Sequence, residues 1–204
     1  MTLVADIQYF SPVIFYLKLE SASHCTFDQY ENFEKRSFRN RCTLAGANAP
    51  IDLSIPVAGG RLQKTPMKDV KIDHSENWRA RHWKTIHSCY RRSPWFEYYA
   101  DELSELYEEK IDRLVDWNLR CFGWVCDKMA ISTRWTLSER YEKNYDAQQY
   151  LDLRGRIVPA TVAEQYPLPF VYPQVFAERH GFLPNLSILD YLFCVGRTLP
   201  RTQN

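Results

Sequence analysis

Leu3-Val4-Ala5-Asp6-Ile7-Gln8 is followed by Ser11-Pro12, by Val13-Ile14-Phe15-Tyr16-Leu17-Lys18-Leu19-Glu20, and then by His24-Cys25-Thr26-Phe27-Asp28. The first segment reads as a short apolar strand. Ser11 offers an N-cap and Pro12 a proline at the first helical position, so Val13–Glu20 reads as a helix. His24–Asp28 reads as a second strand. Strand, helix, strand in this order predicts a parallel βαβ unit, the Rossmann-like start of an α/β fold. Ligands of such folds sit at the carboxyl ends of the strands. Asp28 closes the second strand and is therefore a candidate catalytic residue; an ordinary turn carboxylate is the alternative.

Downstream, Glu34-Lys35-Arg36-Ser37-Phe38-Arg39-Asn40-Arg41-Cys42-Thr43-Leu44 packs four cations into seven residues, in a chain of formal net charge +1. Read as a strand, it sends alternate side chains to opposite faces. Lys35, Ser37, Arg39 and Arg41 share one face, and Phe38, Asn40, Cys42 and Leu44 the other. A guanidinium row can grip phosphate or carboxylate through bidentate hydrogen bonds. A solvated edge strand, protected by charge against unwanted pairing, is the other reading. The turn-like Ala45–Asp52 and the alternating Leu53–Val57 then predict a hairpin with a medium loop. Cys42 lies near cations that would lower its pKa, yet its face carries Phe38 and Leu44, so a nucleophile and a buried structural thiol are both open. The lone Gly59-Gly60 pair has no phosphate-loop spacing.

The remainder is mainly helical by pattern. Met67–Asp73 alternates as a strand. Ser75 caps a helix to Tyr90 whose face holds Trp78, His82, Ile86, Cys89 and Tyr90. His82 is either a buried neutral ring bonded to a carbonyl or a general base facing the arginine row. Ser93-Pro94 opens a helix to about Glu109 with Trp95, Phe96, Tyr99, Leu103, Leu106 and Tyr107 inward. A third runs from about Lys110 to Asp127 with Ile111, Leu114, Val115, Asn118, Phe122 and Val125 inward. Asn118 is a core hydrogen-bonding group or a site residue. Ala130–Thr133 reads as a strand, and Ser138–Tyr150 has little pattern. A proline-rich loop, a short helix stopped at His180-Gly181 and a capped, buried helix after Pro184-Asn185 complete the chain.

Composition narrows the classes. Over 204 residues, 26 basic and 25 acidic side chains leave no global field favouring nucleic acid or an anionic membrane. Aromatic residues reach 15%, enough to build a core and line a ligand surface. No segment approaches the roughly 18 apolar residues of a membrane span. Met1–Val4 has no basic targeting segment, and the six cysteines form no CxxC pair. The expectation is a cytoplasmic chain with reduced thiols and no structural metal site. No cofactor is specified.

The ordered set Lys35–Cys42, Leu53–Val57, His82-Trp83, Ser93–Tyr99 and Gly181–Asp190 resembles the WbqC-like family over nearly the whole chain. The resemblance implies one domain spanning residues 1–204. It also implies a cytosolic role in surface-polysaccharide, O-antigen or modified-sugar biosynthesis. One branch of that family begins with His-Gln-Pro, similar to the phosphate-binding loop of nucleotidyl-transferring enzymes. Here the corresponding residues are Ala5-Asp6-Ile7, so that device is missing. The expectation is a transferase acting on a nucleotide-sugar or other phosphate-bearing substrate, by acyl or aminoacyl transfer to an amino sugar. Arg39 and Arg41 would clamp the anion with Lys35 assisting, and Asn40 and Asn185 complete the binding set. His82 would be the base, oriented by Asp28 or Asp190. A non-catalytic nucleotide-sugar-binding module and a scaffold for glycan-assembly partners, anchored by Trp95 and Tyr98, are the alternatives.

Overall fold

A computed structural model describes residues 1–59 and 64–200 of the chain. Four parallel strands form the main sheet: β1 (Thr2–Asp6), β2 (His24–Asp28), β5 (Arg134–Leu137) and β6 (Tyr150–Asp152), in the order β5-β2-β1-β6. β1 is the pivot. Helix α1 (Val13–Glu20) carries the chain from β1 to β2 on one side, while β6 later joins β1 on the other. The strand order thus reverses at β1, the topological switch where α/β sheets bind ligands. Leu3, Val4 and Ala5 are buried in succession, the pattern of a strand covered on both faces.

The hairpin pairs β3 (Arg41–Leu44) with β4 (Ile51–Ser54), antiparallel, with Arg41 opposite Ser54 and Leu44 opposite Ile51. The helical body is α2 (Trp78–Tyr90), α3 (Phe96–Glu108), α4 (Leu114–Met129), α5 (Val162–Gln165), α6 (Ala177–His180) and α7 (Ile188–Cys194). Phe96, Tyr99, Leu103, Leu106 and Tyr107 of α3 are buried, as are Leu114, Val115, Asn118, Phe122 and Val125 of α4. The helical periodicity therefore identified most of the core-facing stripes, but Trp95, expected inward, is 44% exposed just before α3 begins. Among the described residues no helix is long and apolar enough to cross a membrane.

Several sequence expectations are corrected. Only Arg41–Leu44 of the arginine stretch is a strand; residues before it turn, with Arg36 at φ 61°. Met67–Asp73 is a 3₁₀ turn over Met67–Asp69 followed by isolated bridges at Lys71 and Ile72. The third helix starts at Leu114, because Asp112 and Leu114 pair by backbone with Ile72 and Val70. β5 begins at Arg134, after Ala130 closes α4 in the left-handed region at φ 54°. Ser75 gives way to Asn77 as the cap of α2, accepting from the Ala80 amide. Residue 60 of the Gly59-Gly60 pair lies outside the described residues.

The start of α1 also departs from its expected cap. Pro12 occupies the capping position and no side chain caps the helix. Instead the C-terminal segment closes it. Val13 N donates to Leu186 O, Ile188 N to Ser11 O, and Ser187 Oγ to Phe10 O. The orphan donors of a helix start are here satisfied partly by tertiary contact.

Gly46, at the hairpin loop, tests the local packing. A Cβ there would lie 2.3 Å from Ala49 O and 2.6 Å from Ile51 Cγ1. Gly46→Ala is therefore expected to destabilise the protein by about 2 kcal/mol, the scale of overpacking. A denaturant titration with an unchanged midpoint would contradict this packing.

Candidate functional site at the carboxyl edge of the sheet

Parallel, in-register strands deliver their last residues to one edge. β1 ends in Asp6 and β2 in Asp28, which are register partners. β6 ends in Asp152, level with Val4, and the chain runs on through Leu153 and Arg154 to Gly155. The Gly155 amide donates to Asp6 Oδ1 at 2.7 Å. Three carboxylates therefore collect at the switch point, and Asp6 and Asp28 are fully buried.

Two guanidinium groups offset them. Arg154 donates through Nη1 to Asp28 Oδ2 at 2.6 Å and through Nη2 to Asp152 Oδ2 at 2.8 Å, with its Nη1 also reaching Glu142 O. Hydrogen bonding to these carboxylates drives its pKa upward. Arg39 reaches the edge from the turn before β3. Its Nη2 donates to Glu31 Oε2, its Nη1 to Asn32 O, and its Nε lies 3.7 Å from Asp6 Oδ2. Arg39 is 3% exposed. Its backbone is fixed as well: Asn118 Nδ2 donates to both Arg39 O and Ile7 O, and Tyr9 N donates to Phe38 O. Asn118 thus couples α4 to the turn carrying Arg39, the core hydrogen-bonding role among its two readings.

A pocket of about 530 Å³ opens here, lined by Tyr30, Glu31, Asn32, Arg39, Tyr141 and Gly155. Glu31, Glu34 and Lys64 are among its ionisable lining groups, and burial shifts the proton affinity of Glu31. Burial pushes the Glu31 carboxyl up to about 7, and Asp6 and Asp28 add to the rise, while Arg39 and Arg154 oppose it. A carboxyl poised near neutrality at a pocket mouth can give or take a proton at working pH.

The sequence candidates distribute unevenly around this pocket. Asp28 lies at the edge, inside the ion-pair network. Arg39 lines the pocket but turns inward, whereas Arg41 pairs with Asp52 at 3.0 Å across the hairpin. The two arginines therefore do not form the shared clamp face that a continuous strand would have given. Asn40 Nδ2 donates to Ile55 O, and Lys35 is exposed. Asn185, at φ 56°, donates to Tyr166 O and Val162 O and is buried. Asp190 is buried elsewhere, accepting from Tyr90 Oη and Gln174 Nε2; burial raises its pKa to about 6. Burial pushes the Cys42 thiol well up, so it is a structural thiol and not an activated nucleophile.

His82 is 2% exposed, without the open face that a base needs. Its Nε2 lies 3.2 Å from Ser54 O, and its Nδ1 3.0 Å from Tyr9 Oη. A carbonyl only accepts, so Nε2 carries the proton and Nδ1 accepts from Tyr9. Tyr107 in turn bonds Tyr9. Burial lowers the His82 pKa to about 4. Sequence reading missed Asp6, Glu31 and Arg154. For Asp6 the available signal was the aspartate that ends three of the four parallel strands, at Asp6, Asp28 and Asp152; Glu31 and Arg154 had no such signal.

The fold and this edge define a class: a parallel α/β protein with a small-molecule-sized pocket at its switch point. Within it, the chain belongs to the WbqC-like protein family, whose model matches residues 8–167. It is also 28% identical over 191 residues to the uncharacterized protein Rv1507c of Mycobacterium tuberculosis, covering 82% of each chain. No solved structure matches it.

Two outcomes follow from these contacts. Burial depresses the folded-state pKa of His82 below the ordinary histidine value of about 6.5. Its contribution to stability is thus complete above pH 6.5 and is lost as pH falls toward 4. His82→Gln is expected to flatten that acid-side loss, read from denaturant midpoints between pH 7 and pH 4; an unchanged slope would contradict the buried neutral assignment. Arg39→Met strands Asp6 and Glu31 without their cation, and breaking a buried pair in this way costs about 3 kcal/mol or more. Urea unfolding measures it, and a loss below about 1 kcal/mol would mean that the ion pairs contribute little.

Proposed function

We propose that the protein is a transferase of surface-polysaccharide or modified-sugar biosynthesis, acting in the cytoplasm as one unit over residues 1–204. In this reading it transfers an acyl or aminoacyl group to the amine of an amino sugar that bears a phosphate or nucleotide. Membership of the WbqC-like family supports the pathway. The observation that carries the chemistry is Glu31, with a pKa of about 7, at the mouth of the switch-point pocket.

The charge balance at the edge favours an amine-bearing acceptor. Among the described residues Asp6, Asp28, Glu31 and Asp152 pair with Arg39 and Arg154, and Lys64 also lines the pocket; an ammonium or a set of sugar hydroxyls complements the remaining acceptors. Glu31 as carboxylate takes the proton from the acceptor amine as its nitrogen attacks the acyl carbonyl. The C–N bond forms, the bond from the carbonyl to the donor's leaving group breaks, and the proton held on Glu31 is available to the departing group. Arg39 keeps Glu31 in place and holds its pKa from rising further. Arg39 is here a positioning residue, and the base role moves from His82 to Glu31.

Exposed Trp95 and Tyr98, in edge-to-face contact, support the scaffold alternative, since aromatic pairs of this kind anchor partners.

The test is turnover of UDP-, dTDP-, GDP- and CMP-linked amino sugars with acyl and aminoacyl donors, read by mass spectrometry. Glu31→Gln is expected to lower kcat about 100-fold or more while the protein stays folded. Wild-type kcat/KM is expected to rise with pH through an apparent pKa near 7, because the base must be ionised. Full turnover by Glu31→Gln would remove the glutamate from the chemistry. Absence of turnover with all donors, alongside co-purification of a glycan-assembly protein, would favour the scaffold.

A further inference from the structure

A second cleft, of about 690 Å³, lies where the end of α2, the start of α3 and the segment preceding α6 meet. Its charged lining is Arg91, Arg92, Arg179 and Glu178, three guanidinium groups against one carboxylate. Among the described residues neither Arg91 nor Arg92 has a carboxylate partner, and both are exposed. Arg179 makes a single contact of 3.4 Å to Ala47 O across the cleft. Arg39, Arg41 and Arg154 are ion-paired, and Arg79 donates to Glu109 O. Among the described residues Arg91, Arg92 and Arg179 have no carboxylate partner and line one concavity.

The floor and walls are built to hold a shape. Gln174 uses both ends of its amide: Nε2 donates to Leu183 O and to Asp190 Oδ2, and Oε1 accepts from the Leu183 amide. Pro94, Pro173 and half-buried Phe176 supply rigid apolar wall beside the cations. Ser93 and Pro94 lead directly into the thirteen-residue α3, whose N-terminal dipole favours negative charge. The cleft's two thiols, Cys89 and Cys194, are held protonated by burial and by the neighbouring Asp190, so the lining suits binding more than covalent chemistry.

We propose that this cleft binds the diphosphate group of a small molecule, with Arg91, Arg92 and Arg179 gripping the phosphates and Phe176 covering the attached organic part. Guanidinium forks match phosphate oxygens in pairs, and the volume is that of a small-ligand site. The site goes beyond the transfer reading and uses none of its residues. Nucleotide sugars and coenzyme A share the diphosphate, and the wall next to it decides between them.

Isothermal titration of the full chain with UDP-N-acetylglucosamine, coenzyme A and inorganic pyrophosphate tests it. Binding by at least one of the three is expected. The Arg91→Gln/Arg92→Gln double variant is expected to weaken that binding tenfold or more, and Glu31→Gln to leave it within twofold. Both arginines are exposed, so the double variant keeps the fold. Preference for one organic ligand over pyrophosphate identifies which molecule uses Phe176. No binding by any of the three at millimolar concentration overturns the site. So does pyrophosphate binding that survives the double variant, or binding that the double variant keeps and Glu31→Gln abolishes, which places the ligand at the switch-point pocket instead.

Discussion

The sheet's carboxyl edge depends on one constraint: charges removed from water must be paired. Arg39 and Arg154 have side chains 3% and 5% exposed, facing Asp6 and Asp28 at 1% and 0%. An unpaired ion at that depth costs several kcal/mol. Each guanidinium consequently ties separate stretches of chain together. Arg39 fastens the turn before β3 to the end of β1 and to Glu31-Asn32. Arg154 fastens β2, β6 and the backbone at Glu142. The loops bury Phe33, Phe38 and Leu153 and are fastened by electrostatics as well, and the same bonds restrain the proton affinity that burial raises at Glu31. The pocket and the Glu31 carboxyl are placed by a single arrangement.

A net charge of +1 conceals two poles of opposite sign. At the sheet edge the carboxylates outnumber the cations; in the cleft beside α2 and α3 the cations outnumber the carboxylate. Local clusters of this kind act over about a Debye length, roughly 8 Å at physiological ionic strength, so each pole acts on its own surroundings. The asymmetry suits a protein that handles a molecule carrying amine and phosphate at different points, or two molecules that differ in charge.

Much of the fold was legible because its elements obey simple periods. The apolar run Leu3–Ala5 bounded by Ser11-Pro12 marked β1 and α1, and the 3.6-residue stripes marked the inner faces of α3 and α4. Asp28 was legible as a strand-end carboxylate. The rest failed where tertiary contacts override local pattern. Arg39 reads as a solvent-facing strand residue, yet Asp6 and Glu31, 33 and 8 positions away, draw it inward. Met67–Asp73 alternates like a strand, but its backbone partners are spread over Glu31, Gln29, Pro56, Asp112 and Leu114, so no continuous ladder forms. His82 looked chemically poised because its type suits catalysis; that Ser54 O and Tyr9 Oη enclose it is a long-range fact absent from the helix pattern. Glu31 lies in a polar loop with no period, and its raised pKa comes first from burial, which the loop sequence does not reveal.

The closure of α1 by residues 186–188 carries a consequence for biogenesis. β1 gains its second neighbour only at residues 150–152, and the first turn of α1 gains its partners later still. A chain emerging N-terminus first must therefore hold its most apolar strand with one edge open for more than a hundred residues of synthesis. Unpaired strand edges are templates for misassociation. Late closure also raises the loop entropy that must be overcome before the sheet is complete, which slows folding. β1 is thus made before the other strands of its sheet and is among the last to be secured.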